Sequence, residues 1–440
     1  MKSGRTPWLW VPTLYFAEGI PYFIVNNISV IMFKNLGMSN GDLAMYTSLL
    51  YLPWVIKPLW SPFVDIIRTK RWWILAMQVI CAAAFAALAI TLPRPEASAI
   101  AASGVPVSSF IVTLIIFYIT ALASATHDIA ADGFYMIALE PHTQSLFVGI
   151  RSTFYRIASV FGQGVLVVIA GVLETRTGNV PLAWSITLIV SAVLFGGIAL
   201  WHTFNMPECE TASVRTRSAS EIFAELGRTF VTFFKKKHVW FAMVFMLLYR
   251  LPEAFSVKML NPFLLDDRSV GGLGLSTETV GLVYGTIGVI ALTAGGILGG
   301  LAAGKWGLKK SLWPMALSLA LPCSVYLFMA AAQPTGIAVI ALCIAFDQFG
   351  YGFGFTAYML YMMYFSEGEY KTSHYALCTA FMALSMMLPG LVAGHLQEAM
   401  GYTGFFVMVM ICCLATVIVT LFAEVEPNYG KNNKVSTNLY

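Results

Sequence analysis

The sequence predicts an all-α membrane protein, and three observations predict it. Of 440 residues, 58% are hydrophobic and only 11% charged, whereas soluble globular domains carry about 25% charged residues. Apolar runs of about 20 residues recur along nearly the whole chain, each long enough to cross a hydrocarbon core of about 30 Å as a helix. None alternates in the manner of a membrane β-barrel strand, so the backbone must satisfy its own hydrogen bonds as helices. An ordinary soluble fold is excluded.

The runs begin near Trp8, Asp42, Trp72, Val107, Leu146, Leu182, Val239, Val280, Ser311, Gly336, Tyr375 and Thr403, which predicts twelve spans. The first contains Glu18, Pro21, Asn26 and Asn27 and lacks a small-residue cleavage site, so it reads as a span and not as a signal peptide. The seven cysteines (81, 209, 323, 343, 378, 412 and 413) lie mostly inside spans and show no metal spacing. They predict neither disulfides nor a metal, and no cofactor is expected. With the N-terminus inside, 17 of the 26 Lys and Arg residues fall in inside segments and 4 (Lys34, Arg94, Arg176, Arg268) in outside loops. That bias predicts both termini in the cytoplasm.

The one long polar connection, residues 204–238, divides the chain six plus six. The expected organisation is a bundle over 1–203, a cytoplasmic linker over 204–238, a second bundle over 239–424 and a tail over 425–440. Inside the linker, Ser220 is placed to cap a helix whose apolar stripe is Ile222, Phe223, Leu226, Phe230, Phe233 and Phe234, with Lys235 to Lys237 at its C-terminal end. Such a helix suits the membrane surface; the lysine run serves equally as a topology signal.

The halves repeat. SPFVDIIRTKR (61–71) follows the second run and GGLAAGKWGLKK (299–310) the eighth, and both are turns on the inside. The second resembles the loop signature of the major facilitator superfamily, with Gly304 where that signature has an acid; the first keeps Asp65 but lacks the glycines. The resemblance implies that superfamily's fold, two pseudo-symmetric six-helix bundles, with Asp65, Arg71, Lys305 and Lys309 as cytoplasmic gate residues. Each half also opens with a proline-interrupted span bearing an acid, FAEGIPYF (16–23) and YRLPEAFSVK (249–258). Paired interruptions of this kind point to a transporter's central site, which puts Glu18, Arg250, Glu253 and Lys258 at the cavity.

An unpaired charge at the bilayer centre costs roughly 2.5 to 3.5 kcal/mol, so each buried one needs a cavity or a partner. Lys57, His127, Asp128, Asp132, Arg151, Arg156, Asp347 and His395 join the four above. Asp128 and Asp132, four apart, share a helix face. The residues leave two readings open: like-charge repulsion and desolvation let one acid carry a proton, or Lys57 and Arg156 neutralise both in a fixed network. Arg156 is an acid's partner or an anchor for a substrate carboxylate or phosphate, whereas Arg151, nearer the inside end, reads as a snorkelling or gate residue. His127 and Asp132 spell the H-x4-D pattern of certain acyltransferases, but five residues subtend about 140° on a helix, so the pair cannot meet and no enzyme is predicted. His395 reads as structural. Gln348 and Tyr351 accompany Asp347 in a glycine-rich stretch suited to close helix packing, and Tyr22, Asn26, Asn27 and Gln163 are weaker substrate contacts or polar helix glue.

Longer stretches carry a closer resemblance: EGIPYF, IKPLWSPFVD (56–65), HDIAADGFY (127–135), FYRIASVFGQG (154–164), LLYRLPEAF (247–255), FDQFGYGFG (346–354) and SHYALCTAF (373–381). In these the chain is similar to the AmpG-like muropeptide permeases, in the branch that also holds acetyl-CoA transporters. The resemblance assigns that family's span-two lysine to Lys57, its span-four acids to Asp128 and Asp132, its span-five arginine to Arg156 and its span-seven basic residue to Arg250. It implies proton-driven import of cell-wall fragments across the bacterial inner membrane by a monomer whose partners are a small molecule, protons and lipid, with no nucleic acid. Glu253 stands where an aspartate is usual, Asp347 where a glutamate is usual, and Glu18 where the family has a small residue. A carrier of a free amino sugar or of a CoA-type anion, and a membrane sensor of wall fragments, are the alternatives.

Overall fold

The computed structural model describes residues 6–95, 104–209, 219–427 and 429–430. Every regular element among the described residues is helical. Ten helices are long and apolar enough to cross a membrane, and two features are consistent with twelve crossings. A further pair of helices, Asn40–Leu49 and Leu52–Ile67, is interrupted at Leu50 and Tyr51, so neither piece reaches full length. The last helix, Lys371–Leu421, runs 51 residues, about 76 Å at 1.5 Å each, and turns at Gly401 (φ 69°, ψ 170°), where only glycine is unstrained. Spans are numbered one to twelve on that basis: Pro7–Asn35, the interrupted pair, Lys70–Thr91, Val107–Ala138, Gly149–Thr177, Val180–Asn205, Val239–Leu265, Thr277–Trp306, Leu308–Ala332, Ile337–Ser366, and the two parts of the last helix.

The chain forms two compact units. The first comprises residues 1–227 with 276–285, and the second 228–275 with 286–440. In the first unit the opening of span eight packs against span five. A Cβ added at Gly285 would lie 1.8 Å from the Gln163 carbonyl oxygen. Asn35 donates to Glu174 Oε1 at 2.9 Å and to Thr277 Oγ1 at 2.7 Å, which satisfies three polar side chains at once.

In the second unit, glycine does the packing work that the sequence assigns to it. Gly352 of span ten faces the Leu292 carbonyl, where a Cβ would approach to 2.0 Å, while Gly350 and Gly354 turn to span nine, at 2.2 Å from Ser318 O and 2.5 Å from Met315 O. Such backbone approach gives van der Waals contact that lipid cannot supply. The linker helix forms over Ala219–Phe234. Phe233 is fully buried among Phe365, Phe381 and His374, whereas Phe223 and Phe234 stay exposed, so the predicted stripe splits between two directions. Lys236 is more than a topology signal. Its Nζ donates to the carbonyls of Phe365 and Glu367, at 2.5 and 2.6 Å, and closes the C-terminal end of span ten. The predicted tail is described only to Gly430, and there Tyr429 O accepts the Leu308 amide at 2.8 Å. Lys2, Arg5, Arg215, Arg217, Lys431 and Lys434, used above for orientation, lie outside the described residues.

Two glycines five apart in span eight test the packing. A Cβ at Gly295 would meet Phe349 O at 2.1 Å, and one at Gly300 meets nothing. Gly295→Ala should lower stability by about 1–3 kcal/mol, read as a drop in melting temperature in detergent, while Gly300→Ala should leave it unchanged or raise it slightly.

Candidate functional site

Four spans of the first unit bring five charges together. Lys57 of span two pairs with Asp128 of span four, and Arg151 of span five pairs with Asp132 at 2.7 Å. Tyr15 of span one donates to the same Asp132 oxygen at 3.4 Å. The Arg151 guanidinium also lies over the rings of Tyr15 and Tyr135, at 4.5 and 5.5 Å, so the cation is held from two faces. These side chains are not sealed: relative exposure is 23% for Lys57, 20% for Asp128, 34% for Arg151 and 39% for Asp132.

Of the two roles the sequence left open for Arg156, acid's partner or substrate anchor, the first falls at Asp132 to Arg151, which had read as a snorkelling or gate residue. Spans four and five form an antiparallel pair turning at Leu139 and Glu140. Asp132 lies close to that turn, and Arg156 lies five residues, about 7.5 Å, deeper than Arg151. Depth along the helix, which the spacing of the two acids does not report, selects Arg151. Arg156 makes no ion pair or side-chain hydrogen bond among the described residues, and its charge is felt by the adjacent Tyr155.

Glu18 completes the cluster from span one and interacts electrostatically with Asp128, Asp132, Arg151 and Lys57. Its Oε2 is closed off from solvent and has no hydrogen-bond partner. It is held there by close packing of spans one and five: a Cβ at Gly19 would lie 2.7 Å from the Ala158 Cβ, with Phe23 and the Tyr155 carbonyl next nearest. Just beyond, both spans loosen into π-helical turns, Ile24–Ile28 and Val160–Leu166. These carry the weaker candidates. Asn26 donates to Tyr22 O at 3.1 Å and Gln163 to Ser159 Oγ at 2.8 Å, bonds within their own helices. The Asn26 Oδ1 remains without a partner, Asn27 is part-exposed, and Tyr22 packs edge-on to Trp54.

His127 faces away from the acids, as the helical angle requires. Gln78 of span three bridges it to His202 of span six, at 3.0 and 2.9 Å, and Thr13 lies 2.8 Å from the other nitrogen of His202. All of this is buried, with His127 2% exposed and His202 and Gln78 at 0%, so the network ties spans one, three, four and six together without touching the acids. Among the described residues His127 forms no pair with Asp132 for general-base chemistry.

In the second unit Arg250 and Glu253 neutralise each other through a bidentate contact, at 2.7 and 3.0 Å, while Arg250 also donates to the Tyr351 hydroxyl at 2.9 Å and lies 4.7 Å from the Phe355 ring. The pair sits at a break in span seven between Leu248 and Leu251, where Pro252 removes an amide. Asp347 is 7% exposed and accepts from Tyr326 and from Gln348. Lys258 is buried at 6% in the same half of the chain. Of the gate candidates, Arg71 donates to Glu208 Oε1 and Thr203 O, both at 2.7 Å, and so fastens the end of span six. Lys305 and Lys309 are exposed and pair with no acid among the described residues, and the Asp65 side chain lies outside them. His395 pairs loosely with Glu398 at 3.6 Å on the surface.

Sequence reasoning missed Arg151 as an ion-pair member and the π-helical turns. Tyr15 and Tyr135, both within reach of Arg151, were the signal for the first; for the second no residue pattern marks the extra backbone residue.

The chain matches the family model of the Major Facilitator Superfamily over residues 13–374. It is 24% identical over 429 residues to "Putative transporter AmpG 4" of Rickettsia conorii, covering 94% of this chain and 96% of that one. It is 23% identical over 428 residues to "Anhydromuropeptide permease" of Escherichia coli, covering 96% and 80%. Among solved structures it resembles the D-xylose-proton symporter (TM-score 0.69, 14% identity, 96% and 98% covered) and the nucleoside transporter NupG (TM-score 0.67, 14% identity, 94% and 96% covered). The match over most of its length means that the chain belongs to the Major Facilitator Superfamily, a transporter and not an enzyme.

Proposed function

We propose that the protein imports peptidoglycan fragments, N-acetylglucosamine joined to anhydro-N-acetylmuramic acid with or without peptide, across the bacterial inner membrane. Protons move with the substrate, the mechanism is alternating access, and both termini lie in the cytoplasm. The observation that carries this reading is the charge cluster of the first unit, in which Lys57–Asp128 and Arg151–Asp132 are paired while Arg156 is left for an anion. Arg156 suits the carboxylate of the muramic lactyl group, because a guanidinium meets a carboxylate with two parallel hydrogen bonds. The name of the Escherichia coli relative supports the substrate class, and the inside excess of Lys and Arg supports the orientation. The transported proton binds within the acid group that contains Asp128, Asp132 and Glu18. Arg250, Glu253, Asp347, Gln348, Tyr351 and Lys258 keep the charge-balancing or substrate-binding role within the second unit. Asp65, Arg71, Lys305 and Lys309 keep the proposed gate role.

Labelled N-acetylglucosaminyl-anhydro-N-acetylmuramic acid offered to proteoliposomes should accumulate when an inward proton gradient is imposed and only equilibrate without one. Absence of uptake by folded protein overturns the substrate; uptake indifferent to the gradient overturns the coupling. If an acetyl-CoA-type anion or a free amino sugar is accumulated instead, the unusual Glu18 is the first residue to examine.

Arg156→Gln should raise KM for the disaccharide about tenfold or more with little change in melting temperature, since it strands no partner. Lys57→Met is expected to behave in the opposite way. Leaving Asp128 without its cation should cost up to about 3 kcal/mol of stability, and adding Asp128→Asn should return most of it, measured as a double-mutant cycle on melting in detergent.

A further inference from the structure

Charge bookkeeping in the first unit leaves two residues over. Glu18, Asp128 and Asp132 supply three negative charges, and Lys57, Arg151 and Arg156 three positive ones. Two pairs form, Lys57–Asp128 and Arg151–Asp132, so each aspartate has a cation at contact distance. Glu18 is the acid without a cation. It lies among the other five-residue cluster members, with Asp128 and Asp132 of span four, Lys57 of span two and Arg151 of span five all within electrostatic reach. Tyr15 on its own helix and Tyr155 on span five also feel its charge. Its Oε2 is cut off from solvent and unbonded. With Glu18 ionised the five residues carry one surplus negative charge in a low-dielectric setting; with Glu18 protonated they carry none.

Arg156 is the cation without an acid. Tyr155, next to Arg156 in the chain, feels the charge of both. An anion that settles on Arg156 adds one negative charge to these six residues, and a proton taken up by Glu18 restores the balance. One anion and one proton enter together, and the net charge of the unit is unchanged.

We propose that Glu18, and not Asp128 or Asp132, takes up the transported proton, and that it does so as Arg156 receives a carboxylate of the substrate. This rests on the proton-coupled carrier reading given above. It makes Glu18 the coupling residue and leaves the two aspartates as fixed anions that hold spans two, four and five in register.

The first test needs no substrate. Infrared difference spectra of the full-length protein in lipid, recorded between about pH 5 and pH 9, report a protonated carboxyl group by its C=O stretch. The wild type should show a band that disappears as the pH rises, read as the difference between wild type and Glu18→Gln because Asp347 is a further buried carboxyl. Glu18→Gln should remove it, Glu18→Asp should keep it at a shifted midpoint, and Asp128→Asn should retain it. A difference between wild type and Glu18→Gln that contains no titrating carboxyl band overturns the assignment.

The second test uses the labelled disaccharide. Its apparent affinity in the wild type should rise as pH falls, with a limiting slope of about tenfold per pH unit for one linked proton. In Glu18→Gln the affinity should become independent of pH, gradient-driven accumulation should be lost, and exchange of preloaded label should persist. A pH dependence that Glu18→Gln leaves intact overturns the linkage. If wild-type vesicles ignore the disaccharide altogether, the substrate reading fails while the infrared result still decides Glu18.

Discussion

A charge taken into hydrocarbon must find an opposite charge or open water, and the first unit is organised around that constraint. Lys57 and Arg151 come from spans two and five to meet the two aspartates of span four. That demand sets the rotation of span four about its own axis. Once Asp128 and Asp132 face their cations, His127 is turned about 100° away from Asp128, and the fold supplies Gln78 and His202 to receive it. Two polar networks back to back on one helix fix its rotation far more firmly than apolar packing, which tolerates sliding.

The second unit solves the same problem by mutual neutralisation. Arg250 and Glu253 are three residues apart on one broken helix and satisfy each other before any other span is involved, with Tyr351 and Phe355 closing over the guanidinium. The units thus differ in a way that their weak internal repeat conceals. In the first, ion pairs join different spans; in the second, the strongest ion pair lies within one span, and the joining falls to glycine-mediated backbone contact between spans eight, nine and ten.

Much of this was legible in the residues because hydrocarbon enforces a simple grammar. Apolar run length gave the spans, and the isolation of Glu18, Lys57, Asp128, Asp132 and Arg156 in apolar surroundings marked them for attention. The glycines of 350–354 announced close packing. What stayed hidden was depth and rotation across separate helices. Asp132 meets Arg151 and not Arg156 because of where the span-four to span-five turn falls, which composition does not encode. The two-residue interruption that shortens span two, and the turn at Gly401 inside the last long helix, depend on backbone geometry that many sequences would adopt differently.

The break in span seven bears on the order in which the protein can be completed. The Tyr249 carbonyl at that break receives its hydrogen bond from Thr416, 167 residues later in the chain. During synthesis this carbonyl must stay hydrated, or be satisfied by a temporary neighbour, until span twelve arrives. Span seven is therefore a provisional resident of the bilayer for most of the time that the second half is being made. The last span to emerge is the one that lets it settle.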